Sequence, residues 1–247
     1  MFSTAHPAQP GRQAARKVRP AVLCGSYQHI TTTPDKGVRY VIRNDDYGHK
    51  EECISNQRDA PNFTVVQSAA RVDHAEPVAF PNIFLGCSWG VCSPGSVLPA
   101  RVSRLRSLTT SWSTTERATG TWAVGYDIWF DRVRRITGQS RGAELMIWLD
   151  SRGTASAGRW PVVVVRHVRY RMAHWRTGDR GKSWTYIQFR RATPTSRVAR
   201  LDVRAFVRVA ERDGLIRPRW WLTSVEAGFE IWRGGVGLRT TGFAVRV

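Results

Sequence analysis

The chain contains few lysines and few acidic residues. Lys17, Lys36, Lys50 and Lys182 are its only lysines, so arginine supplies nearly all of the positive charge. Among 247 residues, 38 basic side chains face 19 acidic ones, which gives a formal net charge of +19 at pH 7. There is also no uninterrupted apolar run of about 18 residues, the length that a membrane-spanning helix needs. We therefore predict a basic protein without a transmembrane helix or a membrane partner.

The N-terminal region lacks the apolar centre of a secretory signal peptide. Residues 1–21 are rich in Ala, Pro, Gln and Arg, which predicts a flexible leader or the remnant of a longer precursor. After residue 21, no Pro- or Ser-rich linker divides the sequence. Because a chain of this length can bury a substantial core, we predict that residues 22–247 form a single domain.

The large positive charge raises the question of a polyanionic partner. Arginines cluster within 101–106, 132–135 and 166–171. No zinc-finger, RNA-recognition or helix-turn-helix pattern accompanies these clusters. We interpret them as a solvated surface that adsorbs polyanions weakly and in a salt-dependent way, and we predict no specific nucleic-acid partner. Polyanion binding as the main function is kept as a weaker alternative.

The four cysteines lack the spacing of a zinc site, and the six histidines are dispersed. We therefore predict neither a metal nor another cofactor. Four cysteines allow three pairings. Cys87 and Cys92 close a tight loop, while Cys24 and Cys53 bracket the first strand region. We predict the pairs Cys24–Cys53 and Cys87–Cys92, which indicate an oxidising compartment.

Short β-branched and aromatic runs alternate with turn residues through most of the chain. Such a pattern predicts an antiparallel sandwich or barrel. One helix is predicted after Asp202, a suitable N-cap, and Gly214 is suited to the position just beyond its end. The predicted strands are 38–42, 63–66, 121–130, 144–149, 161–165, 184–189, 220–232 and 242–247.

Two of these strands each place a glutamate beside a tryptophan. Successive side chains of a strand alternate between its two faces. Glu144 therefore shares a face with Met146 and Trp148, and Glu230 shares a face with Trp232. Either segment alone is more typical of an ordinary half-exposed strand with a solvated glutamate. The occurrence of two such segments favours the floor of a sugar-binding cleft.

A third strand repeats the arrangement with Asp127 and Trp129 on one face. Two carboxyl groups on either side of a glycosidic bond can hydrolyse it with retention, one attacking the sugar and the other transferring the proton. A third carboxyl group next to the nucleophile can orient it and adjust its pKa. Aromatic rings suit the apolar faces of pyranose rings.

Several stretches resemble, in order, the motifs of glycoside hydrolase family 12, the small endo-β-1,4-glucanases and xyloglucan hydrolases. The resemblance covers most of the chain from about Cys24 to Val247. It implies an all-β fold, a β-jelly roll of two packed, curved antiparallel sheets with one α-helix packed on the outside. The family's disulfides also resemble the predicted pairs. The matching stretches are 80–92, 124–129, 143–148, 221–230 and 234–238.

The resemblance also implies roles for individual residues. It places the family's nucleophile at Glu144, its acid/base at Glu230 and its assisting aspartate at Asp127. Tyr47 lies where the family usually has a tryptophan that stacks under sugar. The implied substrate-binding residues are Asn44, Tyr47, Trp89, Met146, Trp148, Glu226 and Trp232.

Three positions depart from the family pattern near these residues. Ser88 stands where a histidine is common, Asp45 where an asparagine is usual, and Glu226 where a glutamine is common. Glu226 lies four residues before Glu230 and so shares its strand face. Its charge would either raise the pKa of Glu230 or be solvated at the rim. Segments 154–159 and 167–176 also match poorly.

From these observations we predict a secreted, monomeric, retaining endo-β-1,4-glucan hydrolase with a β-glucan polysaccharide as substrate. Secretion is inferred from the cysteines and the polymeric substrate. The alternative, motivated by Ser88, Asp45 and the altered segment 154–159, is a non-hydrolytic or substrate-shifted carbohydrate-binding relative with the same fold.

Overall fold

A computed structural model describes residues 20–35, 37–57, 59–73, 76–135, 137–178 and 183–247. The predicted leader lies almost wholly outside these residues, and its last residue, Ala21, begins the first strand. No helix within the described ranges is both long and apolar enough to cross a bilayer. In chain order the elements are β1 (Ala21–Leu23), β2 (His29–Thr31), β3 (Val41–Arg43), β4 (Cys53–Asn56), β5 (Phe63–Gln67), β6 (Asn82–Ser88), β7 (Val91–Cys92), β8 (Ala100–Arg101), a 3-10 helix (Val102–Arg104), β9 (Thr109–Glu116), β10 (Gly120–Asp131), β11 (Ala143–Arg152), β12 (Val162–Val165), β13 (Val168–Thr177), β14 (Trp184–Arg191), β15 (Arg197–Asp202), α1 (Val203–Arg212), β16 (Trp221–Gly234) and β17 (Leu238–Arg246).

The strands form two sheets that pack face to face. The smaller sheet has the order β1-β4-β5-β17-β9-β15. The larger has the order β12-β13-β14-β11-β10-β16-β6-β3-β2, with β7 paired to β6 and β8 to β16. Aromatic side chains of the two sheets contact each other in the core. The ring centroid of Trp112 lies 5.1 Å from that of Tyr126, and the centroid of Phe63 lies 5.6 Å from that of Phe229. The predicted all-β jelly-roll sandwich is confirmed.

Alternation along the long strands gives the larger sheet two different faces. Leu145 and Ile147 of β11 are fully buried in the core between the sheets, where each contributes about 1.5–3 kcal/mol through removal of apolar surface from water. We call this side the inner face. The opposite, outer face carries Glu144, Met146 and Trp148, with a second and smaller apolar cluster.

The predicted helix is present as α1. Its N-cap is Asp202, whose carboxylate accepts a 3.0 Å hydrogen bond from the backbone N–H of Ala205. The ring of Phe206 lies 5.0 Å from Tyr170 and 5.1 Å from Phe189. Both partners belong to the core cluster. The helix therefore covers the inner face of β13 and β14, next to the smaller sheet.

One pairing departs from the predicted antiparallel sheets. β14 runs parallel to β11, with Glu144 opposite Tyr186 and Trp148 opposite Arg190. The chain leaves β11, forms the β12–β13 hairpin and inserts β14 between β13 and β11. The sequence pattern also missed β6, because this strand is buried on both faces and shows no alternation.

Both predicted disulfides are confirmed. Cys24 is bonded to Cys53, and Cys87 to Cys92. The second bond links β6 to β7 and closes the short loop that presents Trp89. Covalent closure of this loop limits the positions that the Trp89 side chain can occupy relative to the outer face.

Replacement of Asp202 by alanine tests the cap of α1. We expect the free energy of unfolding to fall by about 1–2 kcal/mol, because a helix N–H loses its acceptor. Asp202 also meets the exposed Arg166 and Arg208. Asp202→Asn is the control: it keeps the cap oxygen and removes only these surface ion pairs, which contribute little. Equal losses in both variants, measured by urea unfolding, would contradict the capping role.

Candidate active site

Three neighbouring strands bring the predicted carboxyl groups to the outer face. β10 lies between β11 and β16. On β10, Asp127 is opposite Met146 of β11 on one side and Glu226 of β16 on the other. Glu144 and Glu230 lie on these two flanking strands. Asp127, Glu144 and Glu230 are only 8%, 9% and 8% exposed, so the outer face is recessed at this point.

Glu144 is held by a tryptophan that the sequence analysis did not single out. The indole N–H of Trp184 donates a 2.6 Å hydrogen bond to Oε2 of Glu144. Burial raises the pKa of Glu144, the Trp184 bond opposes that rise, and the charge of Glu230 adds to it. Since Coulombic effects of this kind act at short range, the two glutamates influence each other across β10.

Glu230 has a different environment. Burial raises its pKa to about 7, while the Trp148 side chain and the charge of Arg190 act in the opposite direction. Its Oε2 has no hydrogen-bond partner among the residues that the structure describes. A buried carboxyl group with a free oxygen is suited to carry a proton below neutral pH.

Asp127 lies between the two glutamates and is also desolvated. Its Oδ2 accepts a 2.7 Å hydrogen bond from the indole N–H of Trp129. Burial, followed by the charges of Glu144 and Glu226, raises its pKa well above the usual range. Its Oδ1 has no partner within the described part of the chain. A protonated Asp127 can therefore donate from this oxygen.

The floor of the recess is apolar. Trp148 and Trp232 meet edge to face, with centroids 6.1 Å apart, and cluster with Met146 and Ala123. A Cβ on residue 125 would lie 2.9 Å from Trp148, so Gly125 leaves room for that ring. Met146 is buried and supports the tryptophans; it offers almost no surface to a ligand.

Tyr47 and Trp89 are the exposed aromatic residues of the predicted set, at 40% and 62%. Burial of its hydroxyl raises the pKa of Tyr47, and the charges of Glu230, Asp45 and Glu144 contribute, which places this side chain beside the recess. Trp89 and Trp129 line the same shallow pocket. Tyr47 and Trp89 both have the ring surface that stacking on a sugar requires.

Asn44, predicted to bind substrate, makes structural contacts in the described fold. Its side chain is fully buried. The amide donates to the backbone carbonyl oxygens of Gly25 and Glu52, at 3.1 and 2.8 Å. Because side chains alternate between faces along β3 and the residue after it, the Asn44 side chain points away from the outer face. Its hydrogen bonds fix the segment around the Cys24–Cys53 disulfide.

Glu226 was predicted to bind substrate, and its charge either to raise the pKa of Glu230 or to be solvated at the rim; its burial argues against the rim position. It is 1% exposed, so it has no surface for a sugar or for water. Its Oε2 lies 3.1 Å from the guanidinium of Arg43. Its charge raises the pKa of Asp127 and of Glu144, whereas Glu230 owes its shift to burial, opposed by Trp148 and Arg190.

Sequence reasoning missed residues on β14 besides Trp184. Tyr186 lies next to Glu144 in the parallel register, and burial and the charges of Glu230 and Glu144 raise its pKa. Arg190 lies between two rings, 4.1 Å from the Trp148 centroid and 4.7 Å from that of Trp160. The alternation of Trp184, Tyr186 and Arg190 was visible in the sequence, but their proximity to Glu144 depends on the parallel pairing.

No metal centre is built by the described residues. Within the described ranges, no group of three or more His, Cys, Asp and Glu side chains is placed to hold an ion. Two of the described histidines make side-chain hydrogen bonds: His49 contacts the hydroxyl of Ser26 at 2.8 Å, and His29 contacts the backbone carbonyl oxygen of Tyr27 at 3.4 Å. The recess itself presents carboxyl groups, indoles and a phenol.

A β-sandwich with paired, desolvated carboxyl groups on an aromatic-lined face is typical of glycoside hydrolases. Comparison with known families agrees with this class. The profile described as "Glycosyl hydrolase family 12" matches residues 38–247. The chain belongs to that family.

Individual relatives support the assignment. "Probable cellulase Cel12b" of Mycobacterium tuberculosis is 32% identical over 155 residues, which are 62% of this chain and 99% of that protein. "Endoglucanase cel12A from Rhodothermus marinus" is 38% identical, with a TM-score of 0.81 over 91% of this chain and 97% of that one. A metagenome-derived family 12 endoglucanase is 34% identical, with a TM-score of 0.82 over 92% and 97% of the two chains.

Burial of Glu230 predicts a pH-dependent change in stability. Its pKa is raised in the folded state to about 7, so its favourable contribution is complete below the unfolded pKa and is lost as the pH rises through 7. Glu230→Gln should therefore be more stable than the native chain at pH 8, by about 1–3 kcal/mol, and equally stable near pH 4. The exposed Glu51→Gln is the control. An equal effect of Glu230→Gln at both pH values, in urea unfolding, would refute the buried-charge explanation.

Proposed function

We propose that the chain is a retaining endo-β-1,4-glucan hydrolase that uses Glu144 and Glu230 in a double displacement. The observation that carries the proposal is the placement of two desolvated glutamates on the strands that flank Asp127, on an aromatic-lined face. Relatives named cellulase and endoglucanase support the glucan substrate. Retention requires the two carboxyl groups to lie about 5–5.5 Å apart across the bond.

In the first step the carboxylate of Glu144 attacks the anomeric carbon. The bond to the leaving oxygen breaks, and Glu230 transfers its proton to that oxygen. In the second step Glu230, now ionised, removes a proton from water, whose oxygen displaces Glu144 from the sugar. Both glutamates return to their starting protonation states, so no cofactor is consumed.

The hydrogen bonds favour these two roles, although burial in the recess raises the pKa of Glu144 to about 8 and that of Glu230 only to about 7. The assignment of roles therefore rests on the hydrogen bonds and the family motifs. Trp184 donates to Glu144, which favours its ionised form and fixes the attacking oxygen. Burial keeps Glu230 protonated up to about pH 7, as a general acid requires. Asp127, anchored by Trp129, is positioned beside Glu144 to orient it.

The remaining aromatic residues supply binding. Tyr47 and Trp89, both exposed at the recess, provide stacking surfaces for sugar rings, and Trp148 and Trp232 provide the floor. We further propose export from the cell, supported by the two disulfides, and a monomer. A single domain from residue 22 to 247 is supported by one core cluster that extends from Leu23 to Val245.

Chemical rescue separates the two proposed roles. On an aryl β-cellobioside with a good leaving group, Glu144→Ala and Glu230→Ala should each lose about 10²-fold or more in turnover. Azide should restore both. Glu144→Ala should yield the α-glycosyl azide, because azide attacks in place of the missing nucleophile; Glu230→Ala should yield the β-glycosyl azide, because azide replaces the activated water. NMR spectroscopy of the products distinguishes the two anomers.

The same measurements can contradict the proposed roles of the two glutamates. Exchange of the two anomers would reverse the roles of the glutamates, and full activity in either variant would remove that residue from the mechanism. For the native chain, binding of barley β-glucan or xyloglucan without release of reducing ends would favour the non-hydrolytic alternative. Glu76→Gln, an exposed acidic residue, is the matched control and should keep native turnover.

A further inference from the structure

We propose that Arg43 and Glu226 are positioning residues: a buried ion pair that keeps a fixed negative charge opposite Asp127 and acts through Asp127 on the nucleophile Glu144. The inference rests on the proposed function, because it assigns a task within the same site. It concerns residues that contact neither the sugar nor the reacting atoms.

Three separate departures from the family pattern meet at one guanidinium. The Nη2 atom of Arg43 lies 3.1 Å from Asp45 Oδ2 and 3.1 Å from Glu226 Oε2. Its Nη1 donates to the hydroxyl of Ser88 at 3.2 Å. Asp45, Ser88 and Glu226 come from three chain segments and looked unrelated in the sequence. In the structure they form a single network around Arg43.

This network is buried and largely satisfied. Arg43 and Glu226 are buried, and the guanidinium also lies over the ring of Phe84 at 5.2 Å. The hydroxyl of Ser224 donates to Glu226 Oε1 at 2.9 Å. Burial raises the pKa of Glu226, and the charge of Arg43 is the largest effect that opposes this rise. Because a buried charge without a partner is strongly unfavourable, Glu226 depends on Arg43 to be ionised here.

The cross-strand register places the Arg43 network next to Asp127. Asp127 and Glu226 are opposite each other on β10 and β16, and both side chains are on the outer face. Like charges at directly opposite positions destabilise an antiparallel pair. Arg43 already neutralises one face of Glu226, so the remaining repulsion is relieved most easily by a proton on Asp127. That proton can be donated from Oδ1 to the Glu144 carboxylate.

The charged groups around Asp127 come from three other strands. Glu144 lies on β11, Glu226 and Glu230 lie on β16, and Arg43 ends β3. The charge of Glu226 raises the pKa of both Asp127 and Glu144, whereas the pKa of Glu230 responds to burial, Trp148 and Arg190. The network therefore bears most directly on Asp127 and Glu144.

The test is the pH dependence of kcat/KM on barley β-glucan for Glu226→Gln, Arg43→Gln and the double variant. In Glu226→Gln, Asp127 should lose its proton more readily and should no longer donate to Glu144. This loss should outweigh the removal of the direct repulsion by Glu226, which is the smallest of the effects on Glu144. The acid limb, which reports ionisation of the nucleophile, should therefore move to higher pH by roughly one unit, while the alkaline limb stays in place. Arg43→Gln should show the same acid-limb shift, because Glu226 without its partner takes up a proton. The double variant should match Glu226→Gln, so the two effects should not add.

A matched pair elsewhere controls for the loss of a buried charge. Arg204 and Glu211 form a partly buried ion pair on α1, and Arg204→Gln and Glu211→Gln should leave both limbs unchanged. An unmoved acid limb in Glu226→Gln, an equal movement of both limbs, or additive shifts in the double variant would overturn the proposal.

Carboxyl ¹³C NMR titration keeps the inference separate from the proposed function. Titration of Asp127 reports its link to Glu226 without any turnover, and its pKa should fall in Glu226→Gln. If the native chain releases no sugar, the proposed function fails, and this titration alone decides on the electrostatic link. An unchanged Asp127 titration in Glu226→Gln would reject that link.

Discussion

The burial of three carboxyl groups on three adjacent strands is the constraint on which the site depends. Asp127, Glu144 and Glu230 would each be ionised in water at neutral pH, but burial raises the pKa of all three. Such an arrangement opposes folding. It persists because the opposite faces of the same strands fill the core between the sheets, where side chains such as Leu145 and Phe229 are fully buried and hold the register in place.

Tryptophans organise this cluster without adding charge. Trp184 and Trp129 donate their indole N–H groups to Glu144 and Asp127, and their own rings lie 5.6 Å apart. A neutral donor orients a carboxylate and favours its ionised form, whereas an adjacent cation would lower the pKa much further. The positive charges stand further out: Arg190 lies next to Glu230 on one side, and Arg43 lies behind Glu226 on the other.

The departures from the family pattern acquire a common explanation in the structure. Asp45, Ser88 and Glu226 looked like three weakened subsite positions, and they motivated a non-hydrolytic alternative. Their shared contact with Arg43 accounts for them as one compensated change beneath the surface that faces the ligand. Nothing in the structure explains the abundance of arginine over the rest of the molecule.

Local sequence determined the strand faces, the α1 cap at Asp202 and the grouping of Glu144 with Trp148, because alternation and capping depend on neighbouring residues. The resemblance agreed with the predicted disulfides and assigned roles to the three carboxyl groups. Only the tertiary structure decided the rest. The parallel pairing that brings Trp184 to Glu144 joins strands separated by a hairpin, and the partner of Glu226 is 183 residues away in the chain. Burial and charge at such positions depend on which distant segments meet, and no local pattern encodes that.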